Sequence, residues 1–289
     1  MSHLSRSAEV AFATPPAYAP HCEGFSLAGR IGREDGARHA EVGTARLAPG
    51  GRLDPHLHSY EELVFVLAGA PRLALGGVEV ELGPDAAVAI GAGETHSWSN
   101  PGEEEARWIE LRTPPARPEG EPVDTIFTAR ASSPADAVPL DPGDPRLAAF
   151  GRWTPDGSTP AGPLAAGMAA PTQSLPGIKA RMVLDGRHGA VAARTFVIEF
   201  APDAKLGLHD HPFEETFYVL EGEIAFDADG VERTLRAGDV AFAGVGCLHG
   251  FENRSGFPCR WLESQSPLPP GRGDTRVQAP WETLAARFA

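Results

Sequence analysis

The stretch GGRLDPHLHSYEELVFVLAG, residues 50–69, returns 153 residues later as DAKLGLHDHPFEETFYVLEG, residues 203–222. Each carries a His-x-His pair, His56 and His58 or His209 and His211, followed four residues later by Glu62 or Glu215 and then an apolar run. Side chains alternate faces along a strand, so the two imidazoles of a pair point the same way, close enough for one metal ion to bridge. A turn then puts the glutamate on the next strand.

Carried outward without gaps, residues 50–114 lie on 203–267 with about 20 of the 65 positions identical. Shared positions include Gly69/Gly222, Gly93/Gly246, His96/His249, Asn100/Asn253 and the Arg-Trp-x-Glu runs at 107–110 and 260–263. Two copies at so long a period mean a duplicated domain, not a solenoid. The patterning is β throughout: 41–48, 62–67, 78–82 and 86–90 in the first copy, and 194–200, 215–220, 223–226, 231–235, 240–243 and 259–262 in the second, punctuated by Gly, Pro and Asp. Roughly six to eight short strands per copy close into a small barrel or jelly roll. A length of 289 residues, at about 150 per domain, gives the same count of two.

The expected fold is therefore all-β, with two tandem jelly-roll barrels. Residues 1–125 form the N-terminal domain and 176–289 the C-terminal domain, and a Pro-rich connector, 126–175, wraps the barrels. That connector is too long for a plain loop. It is expected to add an edge strand at Thr125–Thr128 and a short helix at Asp144–Phe150. Pro280 opens a C-terminal helix over Thr283–Phe288.

With 39 acidic against 25 basic side chains, the net charge of -14 opposes binding to nucleic acid or anionic lipid, so neither is an expected partner. Cys22, Cys247 and Cys259 form neither a zinc knuckle nor a disulfide framework. The N-terminus lacks an apolar leader segment, and no apolar run approaches 18 residues. A soluble cytoplasmic protein is expected, as a homodimer or higher homo-oligomer.

A lone core histidine is usually structural. Here four donors recur at one spacing in both copies: His56, His58, Glu62 and His96, then His209, His211, Glu215 and His249. Three imidazole nitrogens and one carboxylate suit a divalent ion such as Fe, Mn, Ni, Cu or Zn, up to two per chain, with open coordination positions.

These residues resemble the cupin motifs. Gly50-x5-His56-x-His58-x3-Glu62-x6-Gly69 matches the first motif at every marked position; Gly238-Asp239 with Gly244-x-Gly246-x2-His249-x3-Asn253 matches the second, and Gly91-x-Gly93-x2-His96-x3-Asn100 matches it more loosely. Asp203 stands where the leading Gly is expected, Gly91 and Gly244 stand where Pro is usual, and Gly83 lies too far upstream. The chain thus resembles a bicupin of the quercetin-dioxygenase-like kind, which implies a double-stranded β-helix per domain with a metal in each barrel mouth.

Strand parity then lists the pocket walls: Tyr60, Val64, Val66 and Trp98 in the first copy, and Phe213, Phe217, Val219, Phe242 and Phe251 in the second. Arg52 and Lys205, four residues before the first ligand, either fix an anionic group beside the metal or lie solvated at the rim, since Pro55 can break the parity. Trp108/Trp261 and Glu110/Glu263 read as duplicated core packing. Asn100 and Asn253 read as turn-holding side chains. Cys247, two residues before His249, is a candidate neighbour of the metal.

The resemblance implies a metal-dependent enzyme for which a small chelating enol, phenol or aromatic compound is substrate and O2 the co-substrate. In flavonol-cleaving relatives the ligand Glu is also the base, a role carried to Glu62 and Glu215. Oxalate decarboxylation is disfavoured because the Arg placed three residues before the first ligand in that group is Leu53 or Leu206 here. Two other classes stay open: a non-oxidative hydrolase or isomerase, like ureidoglycine aminohydrolases or sugar isomerases, and a small-molecule-binding protein.

Overall fold

The strand Glu41–His58 organises the first barrel. Residues 41–47 pair with Ala106–Thr113, and residues 52–56 pair with His96–Ser99, so one long strand serves both halves. Its strands consequently form a single 11-stranded sheet in the computed structural model, which describes residues 1–117, 124–128, 137–141, 143–154, 176–268 and 276–277. In the second barrel the equivalent strand is split into Arg194–Phe200 and Lys205–Asp210, giving separate 6-stranded and 5-stranded sheets. The all-β, two-barrel expectation holds.

The run at 62–67 is apolar on both faces because both faces are covered. Val64 and Val66 point into the first barrel with Leu73, Val88, Trp98 and Trp108. Leu63 and Phe65 point the other way, joining Ile109, Leu111, Val197, Phe242 and Leu262 in an apolar layer between the barrels. The second barrel has its own interior of Phe196, Phe217, Phe226, Phe251 and Trp261.

Strand pairing crosses between the copies. Ser2–Ser5, which precedes the first barrel, pairs with Val240–Ala243 of the second. Phe150–Arg152, which precedes the second barrel, pairs with Ala86, Ala87 and Val88 of the first. Chain order alone assigns Ser2–Ser5 to the N-terminal domain; its strand pairing belongs to the other.

A reciprocal clamp ties the halves further. The Glu61 carboxylate accepts from the backbone N–H groups of Val191 (2.6 Å), Ala192 (3.2 Å) and Ala193 (3.1 Å). Its counterpart Glu214 accepts from Arg38 (2.8 Å), His39 (2.8 Å) and Ala40 (3.3 Å). Thr113 and Ser266, equivalent residues, meet at 3.1 Å. Each clamp glutamate immediately precedes a metal-ligand glutamate. Glu61→Ala leaves three donors without their acceptor and is expected to cost about 2–4 kcal/mol, read as a lower urea midpoint; an unchanged midpoint contradicts the role.

Of the expected connector elements, the edge strand is present as Thr125–Phe127, paired with Leu57 and its flanking histidines. The expected helix at Asp144–Phe150 is instead one 3-10 turn, Pro145–Leu147, leading into the strand Phe150–Arg152. Asp144 caps the turn by accepting from the Arg146 N–H at 2.9 Å, but buried Phe150 is drawn into the first barrel's core and the chain goes extended. The expected helix Thr283–Phe288 lies outside the described residues.

Where the motif glycines are missing, aspartates take their place. Gly50 has φ 71° and Asp203 has φ 63°; Gly238 has φ 85° and its counterpart Asp85 has φ 66°. Asp tolerates the left-handed region better than most side chains, so the turns persist without glycine.

Candidate functional site

The metal ligands come together through one irregularity. Leu53 pairs with Trp98 and His56 pairs with His96, three residues against two, so a bulge at Asp54 and Pro55 lets both Leu53 and His56 face inward. The second barrel repeats this, with Leu206 opposite Phe251 and His209 opposite His249. Ring centroids of His56, His58 and His96 lie 4.2–5.1 Å apart, and those of His209, His211 and His249 lie 4.3–5.5 Å apart. In each trio, ligand atoms can be chosen that all lie within 4.8 Å of one another.

Glutamates complete both sets. Glu62 Oε2 is 3.5 Å from Nε2 of both His58 and His96. Glu215 Oε2 is 3.4 Å from His211 Nε2 and 3.0 Å from His249 Nε2. The tautomers follow from the other ring nitrogen. His56 Nδ1 lies 2.7 Å from the Asp54 carbonyl, His96 Nδ1 3.0 Å from that of Glu94, His209 Nδ1 2.7 Å from that of Gly207 and His249 Nδ1 2.9 Å from that of Cys247. A carbonyl only accepts, so Nδ1 holds the proton and Nε2 presents its lone pair to the centre.

Glu62 Oε2, His96 Nε2, Glu215 Oε2 and His249 Nε2 are buried without a hydrogen bond of acceptable geometry. Buried polar atoms left so are costly, and these converge on one point in each barrel. The donor set therefore fits a divalent transition metal in both barrels.

The local electrostatics also suit a cation. Burial pushes the His56 imidazole down to about 4, His58 to about 3 and His209 to about 4, keeping them neutral donors. Burial alone raises the carboxyls of Glu62 and Glu215, but the close approach and charge of their histidine neighbours outweigh it and hold both at about 2. Behind each lies a second carboxyl. Glu110 and Glu263 are raised by burial and by the charge of Glu62 or Glu215, so they hold a proton more readily. Each also accepts from its own tryptophan, Trp108 Nε1 at 3.0 Å and Trp261 Nε1 at 3.1 Å.

The residues expected around the sites separate into two groups. Tyr60 stacks on His58 at 4.5 Å, and Phe213 stacks on His211 at 4.6 Å. Phe217 and Phe251 lie 5.7 and 5.9 Å from the His249 ring. Val64 and Trp98 line the first barrel's interior, Trp98 stacked on Trp108 at 4.8 Å.

Arg52 and Lys205 point elsewhere. The bulge reverses their parity: Arg52 pairs with Asp54 and Glu23 on the outer face, and Lys205, 64% exposed, lies 3.5 Å from Glu252. Phe242 is opposite Thr216, not Glu215, so it faces the layer between the barrels. Asn100 holds a turn, donating to the carbonyls of Leu47, Ala48 and Glu104. The Cys247 carbonyl, not its thiol, meets His249.

Several residues escaped the sequence reading. Phe226 lies 6.3 Å from His249 on a strand whose parity was legible. Arg112 and Gln265 are equivalent positions with different side chains, so a search for identities passes over them. Arg112 donates to Glu110 (2.8 Å) and Glu41 (3.2 Å), whereas Gln265 donates to Glu215 itself at 2.7 Å. Tyr18 and Thr125 lie far from the motifs in sequence.

The Cupin domain family matches this chain twice, at residues 43–112 and 196–264. The tetracenomycin polyketide synthase protein TcmJ of Streptomyces glaucescens is 30% identical over 108 residues, 37% of this chain and 72% of that protein. An oxalate-binding protein of Thermotoga maritima is 40% identical over 72 residues, 24% of this chain and 60% of its own. Among solved structures, oxalate decarboxylase from Bacillus subtilis superposes with a TM-score of 0.66 at 17% identity, over all of this chain and 82% of that one, a likeness of fold. The twofold family match, the paired donor sets and the full-length likeness to a two-barrel protein agree: the chain belongs to the cupin superfamily, as a bicupin with a divalent-metal site in each barrel.

Proposed function

We propose that this bicupin is a metal-dependent dioxygenase whose substrate is a small chelating enol or phenol and whose co-substrate is O2. The observation that carries the reading is the setting of the second His3-Glu centre inside a wall of rings: Phe213, Phe217, Phe226 and Phe251 lie 4.6–6.3 Å from its histidines. Such a wall suits a flat unsaturated substrate and excludes water from its reacting face. A bound divalent metal supplies Lewis acidity and open positions for two substrate oxygens. Glu215, and Glu62 in the first barrel, are the proposed bases that take the enol or phenol proton. The polyketide-synthase name of TcmJ supports an oxygenated, enolisable substrate.

The likeness to an oxalate-binding protein offers a small dicarboxylate instead. The expected cations argue against it, since Arg52 and Lys205 lie outside the barrels with acidic partners.

The test is an oxygen electrode with protein of assigned metal content and a panel of β-diketones, flavonols and catechols. Oxygen uptake matching substrate loss supports the proposal. The same product formed anaerobically moves the protein to the hydrolase or isomerase class, and tight binding without turnover makes it a binding protein. His209→Ala/His211→Ala is expected to abolish turnover; equal loss from His56→Ala/His58→Ala alone counts against assigning catalysis to the second centre.

A further inference from the structure

Four ligand histidines fix their Nδ1 atoms on a carbonyl two residues earlier in their own chain. His58 does not. Its Nδ1 lies 3.0 Å from Thr125 Oγ1, a hydroxyl that enters from the edge strand Thr125–Phe127. Thr125 Oγ1 in turn lies 3.1 Å from the Tyr18 hydroxyl, which comes from the N-terminal arm.

We propose that Thr125 and Tyr18 are positioning residues of the first metal centre, a two-hydroxyl relay that fixes the tautomer and orientation of His58 from outside the barrel. This rests on the donor set described above being a metal site.

The relay is consistent in its protons. His58 Nδ1–H donates to Thr125 Oγ1, which keeps its own proton to donate to Tyr18. His58 Nε2 is left as a lone pair facing Glu62. Geometry holds each member. Thr125 is paired directly opposite His58 in the strand ladder, and the flanking bonds Ser59 N–H to Asp124 O and Thr128 N–H to Pro55 O, both 2.9 Å, fix the register. Tyr18 stacks on Phe25 at 5.7 Å and meets Phe127 edge-on at 5.3 Å. Tyr60 covers the face of His58 while Thr125 holds its edge. Three separate stretches of chain therefore converge on one ligand. In the second barrel His209 is opposite Val277 and Asp210 opposite Arg276, so the register position matching Thr125 is Thr275, which lies outside the described residues.

The experiment uses the full chain carrying His209→Ala/His211→Ala, so that only the first centre takes up Co2+. Affinity is measured by competition with a chelator, and the visible absorption of the bound ion reports ligand geometry. Thr125→Val keeps the shape and removes the hydroxyl; it is expected to weaken Co2+ binding about 10-fold or more and to change the absorption bands, in line with the effect of losing a histidine's outer partner. Thr125→Ser keeps the hydroxyl and is expected to stay within about 3-fold of the parent. Tyr18→Phe is expected to cost a smaller factor that vanishes once Thr125 is Val, since Tyr18 acts through it.

Parent-like binding by Thr125→Val overturns the proposal, as does Thr125→Ser being equally damaging, which makes the effect one of packing. A chain with His56→Ala/His58→Ala and Thr125→Val checks the fold: its second centre should bind Co2+ normally, and weakening there overturns the proposal as well. Failure of the parent chain to bind Co2+ at all is a different result, one that sinks the metal assignment and the inference with it.

Discussion

Replacing His209 and His211 together by alanine is expected to halve the metal content, from two equivalents per chain to one. The two alanines remove two of four donors, leaving only His249 and Glu215, whose Nε2 and Oε2 are 3.0 Å apart. A borderline divalent ion is not retained by two protein ligands against chelator. The protein should still fold, because the second barrel's interior is built from Phe196, Phe217, Phe226 and Trp261, and the clamp by Glu214 does not pass through either histidine. Elemental analysis after dialysis against EDTA and reconstitution gives the stoichiometry, and circular dichroism checks the fold. Two equivalents in the variant would falsify the assignment of the second site.

The second large effect is the acid sensitivity of the metal-free protein. Burial lowers the imidazoles of His56 and His209 to about 4 and that of His58 to about 3, against an ordinary value near 6.5. Between pH 6.5 and those values the unfolded chain binds protons that the folded chain refuses, so stability falls as pH falls. Each histidine contributes a slope of about 1.4 kcal/mol per pH unit, and the three together reach an order of 10 kcal/mol by pH 4, comparable to the whole stability of a domain.

Three other groups modify that total. His249 opposes it: burial lowers its pKa, but the Glu215 carboxylate beside it, the Cys247 carbonyl and the charge of Asp210 together more than offset this, so its folded pKa is raised and it favours the fold on the acid side. Glu62 and Glu215, held at about 2, stabilise the fold above their ordinary range and lose that contribution as pH falls from about 4.5 towards 2. The metal-free chain is therefore expected to unfold between pH 6.5 and 4. The metal-loaded chain should unfold at lower pH, because protons must displace the metal first. Tryptophan fluorescence against pH, with and without metal, measures both midpoints; coincident midpoints contradict the account.

The sequence carried the ligands well because they depend on local facts: residue type, alternation along a strand and a spacing repeated at the same offset. What it carried poorly depends on events between strands. The bulge at Asp54 and Pro55 adds one residue to a strand and so turns Arg52 outward, an outcome that alternation alone cannot register. Phe242 is strand-like and aromatic, but which face it shows is fixed by lying opposite Thr216, a partner 26 residues earlier in the chain. Thr125 was legible as part of an edge strand, yet its meeting with His58 and Tyr18 requires three segments to be placed in space. The helix expected at Asp144–Phe150 failed because the pull of the first barrel's core on Phe150 exceeded the local turn signal of Asp144 and Pro145.

The crossed strands speak to ancestry. A lone barrel with its leading strand would offer that strand to a twofold mate and receive one in return, which is the topology of a strand-exchanged homodimer. Joining two such chains head to tail would leave each leading strand hydrogen-bonded to the opposite copy, as Ser2–Ser5 and Phe150–Arg152 are here. Within one chain the copies need not match, and equivalent positions such as Arg112 and Gln265 differ while the exchanged strands tie both halves together.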